Sequence, residues 1–230
     1  GGSAGSRFLR EKSASDPPTV LASPLFDLKV KYGASMRAMN RPKQFDPDHA
    51  VERATALFWR KGYASTTPQD LADELGIGKG SLYHAFNSKR DLFELALQRY
   101  GEARLAVLTE LLQRPGPVTE RLRQALLKLV SGRGDSPLRG CLAVNTAIEI
   151  GSTDAAASKA VRAIFDRMEG LLKQAVEEGQ RTGEIDANRD AAQLASLLFN
   201  AVIGLQVLGR AADSPARLRR IVDSVISTLL

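Results

Sequence analysis

Residues 66–91 constrain the fold most, because this stretch contains the start and stop signals of two short helices and the start of a third. It reads TTPQDLADELGIGKGSLYHAFNSKRD. Thr67 is a suitable N-cap residue, and Pro68 fits the first position of a helix. Gly76 can adopt the left-handed conformation that ends a helix. These signals predict a helix-turn-helix whose second helix begins near Gly78.

The second of these helices has a polar surface. Its candidate surface residues are Lys79, Ser81, Tyr83 and His84. A helix that enters the major groove of DNA uses such donors for base edges and for phosphates. Pairs of short helices with a glycine turn also occur without any ligand, so the donors, and not the turn, favour a nucleic-acid site.

The details of this segment resemble the TetR-type, or tetracycline-repressor-like, transcriptional regulators. The shared features are two short capped helices, a tight glycine turn, two glycines flanking Lys79, an aromatic–His–Ala–aromatic run and a Ser-Lys-Arg-Asp cap. The resemblance is specific from Phe45 to Tyr100 and continues as one of size and helical pattern. Gly78 departs from the family, which usually has Ser or Thr there, so one side-chain contact to phosphate is lost.

The resemblance implies a recognition helix over residues 78–86 and places the start of the preceding helix close to the DNA backbone. Lys79 and Ser81 are the candidates for base edges, and Lys89 resembles the family's phosphate-contacting lysine. Gly80 permits a close approach to the groove wall. The expected DNA-binding residues are Thr66, Thr67, Gln69, Gly78, Lys79, Gly80, Ser81, Tyr83, His84 and Lys89. The alternative is that Tyr83 packs in a small core, as Phe86 is expected to do, and that Lys89 is ordinary surface charge.

Helical periodicity extends along the rest of the chain, and no alternating strand pattern competes with it. The predicted fold class is all-α. A flexible basic tail or an extended start is expected over residues 1–40, a three-helix DNA-binding domain over 41–91, and a larger helical domain for effector binding and dimerisation over 92–230.

Composition excludes several classes of protein. Hydrophobic residues make up 43% and charged residues 25% of the chain, as in ordinary soluble proteins, and no apolar run is expected to span a membrane. Cys141 is the single cysteine, which fits a reducing cytoplasm. His49 and His84 show no zinc-site spacing, and no catalytic or nucleotide-binding motif occurs. We therefore expect no enzyme, cofactor or metal, although a small all-α enzyme or carrier remains the alternative from another class.

The positive charge is concentrated at the N-terminus. Residues 1–45 contain 8 Lys or Arg and 3 Asp or Glu, a net charge of +5 out of a total of +6. A basic arm of this kind can lie along phosphates or enter a minor groove. The alternative is a tail whose charge only keeps it soluble.

A polar stripe marks a candidate effector pocket in the second domain. Cys141, Asn145 and Glu149 are spaced four residues apart on a helix predicted over residues 139–150, among apolar neighbours. The candidate pocket residues are Tyr100, Cys141, Asn145, Glu149, Phe165 and Met168. Changes at Asn145 and Glu149 are expected to alter the response to effector and to leave operator affinity within a few-fold. The alternatives are that the stripe is solvated or satisfies nearby backbone groups, and that Cys141 is a thiolate sensor and not a small core residue.

The last two predicted helices, residues 189–210 and 215–229, are strongly apolar on one side. In the family that this chain resembles, such helices pair with their symmetry mates. The resemblance therefore implies a homodimeric, cytoplasmic repressor that binds a palindromic double-stranded DNA operator and is released by an unknown small-molecule effector, with no membrane partner. A transcriptional activator, or a DNA-binding protein without effector control, is the alternative.

Overall fold

The structure, a computed structural model, describes Gly1 and residues 46–130, 140–211 and 214–230. These ranges contain nine α-helices and no strand. In chain order the helices are α1 (Pro47–Lys61), α2 (Pro68–Leu75), α3 (Lys79–Phe86), α4 (Lys89–Leu112), α5 (Val118–Val130), α6 (Leu142–Ile150), α7 (Ala155–Thr182), α8 (Ala191–Arg210) and α9 (Pro215–Ser227). The all-α fold class is confirmed, and all of the predicted basic tail except Gly1 lies outside the described residues.

Side-chain caps fix where the first helices begin. Asp46 accepts a hydrogen bond from the Asp48 N–H at the start of α1. Thr67 and Asp70 form a reciprocal capping box at the start of α2. At the start of α4, the Ser88 hydroxyl accepts the N–H of Asp91. The caps at Thr67 and Ser88 were predicted, because a short polar side chain before an apolar repeat satisfies N–H groups that the helix itself cannot.

Helix α4 is the central element of the fold. It packs against α1 on one side and against α5, α6 and α7 on the other. Its buried residues run from Leu92 to Leu112, so the predicted domain boundary at residue 92 falls inside this helix. The two predicted domains thus share an element, and the described residues from 46 onward belong to one compact unit.

A glycine lets α4 and α7 approach closely. A Cβ atom at Gly101 would lie 2.7 Å from the Cδ1 and Cγ1 atoms of Ile164. No real Cβ atom tolerates such a contact, so the absent side chain sets the distance between the two helices.

The predicted bounds of α6 need correction. The sequence predicted a helix from residue 139, whereas α6 begins at Leu142 with Cys141 as its N-cap residue. Gly140 has a φ of 70°, which is incompatible with a helix interior, and residue 139 lies outside the described ranges. The helix is therefore shorter than predicted at its N-terminal end.

Helices α8 and α9 differ in how fully their apolar residues are buried. In α9, Leu218, Val222 and Ile226 are buried because the helix packs against α5 and α8. Helix α8 also keeps large apolar residues on the surface: Leu197 is 42% and Val207 is 48% exposed.

By length and composition alone, α8 could cross a membrane. An 18-residue window has a mean hydropathy of 1.7 and is 33% buried in the chain. The expectation that no apolar run reaches this length is wrong. A core helix of a soluble protein passes the same test, so the observation by itself does not assign a membrane span.

Candidate functional site

The turn between α2 and α3 orients a polar surface. Gly76 adopts the left-handed conformation with a φ of 69°, and the Ile77 N–H donates to the Ala72 carbonyl, 3.0 Å away. Gly78 is the N-cap of α3 without a side-chain cap hydrogen bond. Leu82 and Phe86 are buried, which anchors α3 to the core and turns its opposite side to solvent.

Helix α3 thereby exposes the predicted polar residues together. The exposed members are Lys79, Gly80, Ser81, Tyr83 and His84. At the start of α2, Thr67 and Gln69 are exposed as well. We call these seven residues the α2–α3 surface. The Tyr83 side chain is 44% exposed, so it does not pack in the core as the alternative interpretation required.

Thr66 is not part of this surface. It is fully buried, and its hydroxyl donates to the Gly62 carbonyl, 2.6 Å away. The expectation that its side chain contacts DNA is therefore corrected: Thr66 stabilises the loop between α1 and α2 from within.

Lys89 lies beside the surface, and its ammonium group is largely occupied. The Nζ atom donates to the carbonyls of Tyr63 and Thr66, at 2.8 and 2.7 Å, and sits 4.2 Å from the centroid of the Tyr63 ring. Burial lowers the pKa of Lys89 from its usual range. An ammonium has three hydrogens, so one is not bonded to a carbonyl.

Two charged contacts stiffen this region. Lys61 pairs with Asp70 across 2.6 Å, and this hydrogen bond is the main reason that the pKa of Asp70 lies well below its usual range. Arg90 makes a two-point contact with Asp154, in which Nη2 and Oδ1 are 2.7 Å apart. Asp154 also caps α7, so this pair joins the starts of α4 and α7.

Sequence reasoning missed these pairs. Asp154 caps α7, and its partner is 64 residues away in the chain. In the sequence, Arg90 belongs only to the predicted Ser-Lys-Arg-Asp cap. No local signal indicates either contact, since both depend on how separate helices pack.

A cavity of about 350 Å³ lies between α1, α6 and the end of α8. Of the predicted pocket residues, Cys141, Asn145 and Glu149 line it. The remaining wall is mostly apolar and aromatic, with residues that the sequence did not indicate: Phe58, Trp59, Lys61, Gly62, Tyr63, Phe93, Leu142, Val144, Thr146, Ile148, Gln206, Val207 and Arg210.

The other three predicted pocket residues lie elsewhere. Tyr100 is buried and packs edge-on against Trp59. Phe165 packs against Phe199, and Met168 is a core residue of α7. The expectation that all six share one pocket is corrected, because Tyr100, Phe165 and Met168 are not among the residues that line this cavity.

Cys141 is a buried residue at the N-terminus of α6. It is 7% exposed and makes no side-chain cap hydrogen bond. Burial, and then the neighbouring Cys141, raise the pKa of the Tyr100 hydroxyl, whereas the Arg104 cation lowers it. This environment favours the small core residue over the thiolate sensor.

Glu149 bonds to the loop that precedes α2. Its Oε2 accepts from the Tyr63 N–H at 3.0 Å and its Oε1 from the Ala64 N–H at 2.8 Å. One alternative interpretation gave this residue a role in satisfying nearby backbone groups. The bonded groups are backbone groups, but they lie 86 and 85 residues away in the chain.

Comparison with known proteins identifies the family. The family model described as "Bacterial regulatory proteins, tetR family" matches residues 50–96, and "Tetracyclin repressor-like, C-terminal domain" matches residues 129–225. The HTH-type transcriptional regulator YezE of Bacillus subtilis (strain 168) is 32% identical over 197 residues, which cover 83% of this chain and all of that protein. The chain belongs to the TetR family. This TetR-family protein is therefore a DNA-binding transcriptional regulator and not an enzyme.

Other proteins similar to this TetR-family regulator include a repressor and a regulator that was solved in complex with DNA. The HTH-type transcriptional repressor ComR of Escherichia coli (strain K12) is 27% identical over 194 residues, covering 83% of this chain and 91% of ComR. The regulator CifR, solved as a cysteine mutant with 26-base-pair double-strand operator DNA, is 28% identical with a TM-score of 0.72. The match covers 83% of this chain and 100% of CifR.

Proposed function

We propose that this TetR-family regulator is a homodimeric repressor that binds a palindromic operator through the α2–α3 surface. The exposed donors of α3, held on a helix whose other side is buried, carry this proposal. The family membership and the repressor relative support it. Residues 41–91 form the DNA-binding part, and residues 92–230 bind effector and dimerise.

Within the α2–α3 surface, the residues have different roles. Lys79 and Ser81 read base edges, and Gly80 permits close approach to the groove wall. Tyr83 contacts a phosphate through its hydroxyl. The Thr67 hydroxyl donates to Asp70, so Thr67 lies with Gln69 and His84 at the edge of the contact. The last hydrogen of the Lys89 ammonium reaches a phosphate.

The exposed apolar side of α8 supports dimerisation. Leu197 and, two turns further on, Gly204 lie on the same exposed stripe, whereas Val207 borders the cavity. Exposed apolar stripes on helices usually mark contact surfaces. A second copy covering this stripe also explains why α8 is apolar enough to meet membrane criteria, and a dimer in the cytoplasm needs no membrane.

The cavity between α1, α6 and α8 supports control by a small molecule. Its volume of about 350 Å³ falls within the range of roughly 300–1,000 Å³ found for ligand sites. Its aromatic and aliphatic wall, interrupted by a few polar groups, suits a mainly apolar effector.

Selection of bound sequences from random DNA tests the proposal. We expect a two-fold symmetric site with half-sites roughly one helical turn apart or somewhat more, and an affinity that falls steeply with salt. The control is the Lys79→Ala, Ser81→Ala, Tyr83→Phe variant, which should keep its fold and lose selection. A single asymmetric half-site at saturation would contradict the dimer. An operator upstream of an activated promoter would favour the activator.

A further inference from the structure

The loop of residues 62–66, between α1 and α2, is held by two side chains of opposite charge from different helices. Glu149 of α6 accepts the N–H groups of Tyr63 and Ala64. Lys89 of α4 donates to the carbonyls of Tyr63 and Thr66. Four backbone groups of one short loop are thus satisfied by two charged residues.

The loop is shaped to admit the carboxylate. Gly62 has a φ of 85°, and a Cβ atom at this position would lie 2.8 Å from Oε1 of Glu149. Any other residue at this position would be strained and would push the carboxylate away. The two N–H groups therefore point at one carboxylate, the arrangement of a charge-assisted hydrogen bond.

The position of the loop decides the position of the α2–α3 surface. Its last residue, Thr66, directly precedes Thr67, which is the N-cap of α2 and an exposed member of that surface. A shift of the loop is carried into α2 because Thr66 is covalently joined to Thr67, and the capping box of Thr67 and Asp70 fixes Thr67 to the start of the helix.

The carboxylate also borders the cavity. Glu149, Gly62 and Tyr63 line it on the side of the loop, and Asn145 and Arg210 line it on the side of α6 and α8. A molecule in the cavity therefore touches the residues that make the contact as well as the loop that receives it.

We propose that Glu149 is the positioning residue through which the state of the cavity reaches the α2–α3 surface. With the carboxylate on the two amides, α2 and α3 stand in the arrangement that binds DNA. An occupant that moves α6 away from the loop breaks this contact and releases the operator. The inference rests on the proposed function and states how occupancy of the effector cavity changes operator binding.

Two substitutions and one matched control test this role. Glu149→Gln keeps the size of the side chain but places an amide NH₂ against one of the two N–H groups, and Glu149→Ala removes both acceptors. Glu184 is the control, because its carboxylate also accepts a backbone N–H, that of Thr119 at 3.2 Å, at the start of α5 and away from the loop. Glu184→Gln thus removes the charge from a similar contact without touching α2.

The measurements are operator affinity without effector, amide hydrogen exchange at Tyr63 and Ala64, and thermal stability. Both Glu149 variants should weaken operator binding about tenfold, equivalent to about 1.4 kcal/mol, and speed exchange of the two amides by a similar factor. Glu184→Gln should lose similar thermal stability and keep operator affinity within about twofold.

The outcomes separate this inference from the proposed function. If wild-type protein selects no operator, the proposed function fails. If it selects one and the Glu149 variants bind it as Glu184→Gln does, or if exchange at the two amides is unchanged, Glu149 has no positioning role and the inference is overturned. The expectation from sequence, that Glu149 variants keep operator affinity within a few-fold, is the outcome that this structure argues against.

Discussion

Lys89 illustrates how a residue next to a functional surface can be structural first. Two of its three ammonium hydrogens are bonded to loop carbonyls, so its removal leaves two acceptors without their partner. Lys79, one helix earlier, is exposed, and no hydrogen bond or ion pair joins its side chain to the rest of the described residues.

We expect Lys89→Ala and Lys79→Ala to differ in both stability and specificity. Lys89→Ala should lower the free energy of unfolding by about 1–2 kcal/mol, because the carbonyls lose charged partners, and should weaken binding to all DNA sequences alike. Lys79→Ala should leave stability nearly unchanged and relax the preference at particular base pairs by about 1–3 kcal/mol.

Urea unfolding and competition binding with mutated operators provide the two readouts. Ser81→Ala is the companion to Lys79→Ala and should affect a different base pair. A uniform loss of affinity in the Lys79 variant would show that this residue contacts phosphate and not base edges.

At the scale of elements, Gly80 lowers the stability of α3. A Cβ atom at this position meets nothing within 4 Å, and the same holds for Gly170 in α7. Glycine within a helix costs about 0.5–1 kcal/mol relative to alanine. The exposed position of Gly80 on the α2–α3 surface gives this cost a reason, since a side chain there would face the DNA.

Gly80→Ala and Gly170→Ala should therefore stabilise the protein equally and affect DNA binding differently. Each should raise the free energy of unfolding by about 0.5–1 kcal/mol. Only Gly80→Ala should reduce operator affinity. Thermal unfolding and operator titration of both variants check this, and equal operator affinity would show that α3 does not approach the groove wall at Gly80.

The Arg90–Asp154 pair makes the packing of α4 against α7 sensitive to acid. The Arg90 guanidinium holds the pKa of Asp154 well below its usual range. A carboxyl whose pKa is lower in the folded state contributes stability above its unfolded pKa of about 3.9 and loses that contribution as the pH falls further.

Asp154→Asn separates the ion pair from the cap, because Asn is an equally good N-cap residue. We expect the variant to be less stable than wild type at pH 7, and the difference to shrink as the pH falls below about 4. Urea midpoints measured from pH 7 to pH 2 give the comparison. Glu110→Gln removes an exposed pair with Arg114, and its urea midpoint should stay close to that of the wild type at every pH. If the midpoint of Asp154→Asn is lower than that of the wild type by the same amount at every pH, the ion pair is not the cause of the difference.

At the scale of the whole molecule, the exposed stripe of α8 is the basis of the proposed dimer. Leu197 exposes apolar area that a second copy would bury. Leu197→Glu should convert the dimer to a folded monomer, because burying an unpaired carboxylate costs more than the interface gains. Analytical ultracentrifugation gives the mass, and the monomer should lose operator affinity.

The matched control is Ala106→Glu, which adds the same charge at an exposed position of α4 and should remain dimeric. If the Leu197→Glu protein keeps the mass of a dimer, the dimer interface lies on another face of the molecule.

Local signals were enough to predict the caps at Thr67 and Ser88 and the left-handed turn at Gly76. They also indicated which side of α3 faces solvent, since a helix with Leu82 and Phe86 on one side buries that side. These features depend on residues within four positions of each other, which is the range over which sequence and backbone geometry are directly linked. For the same reason the class of protein followed from one short motif.

Tertiary packing decided the rest. Thr66 is a good surface residue by composition, yet the turn after Gly62 buries it. Glu149 looked like one member of a polar stripe, yet the packing of α6 against the loop brings its carboxylate to amides 86 and 85 residues away. Sequence determined which helices form and what their surfaces offer, because those depend on neighbours along the chain. Only the assembled structure decided which surfaces meet, because that depends on the close approach of separate helices.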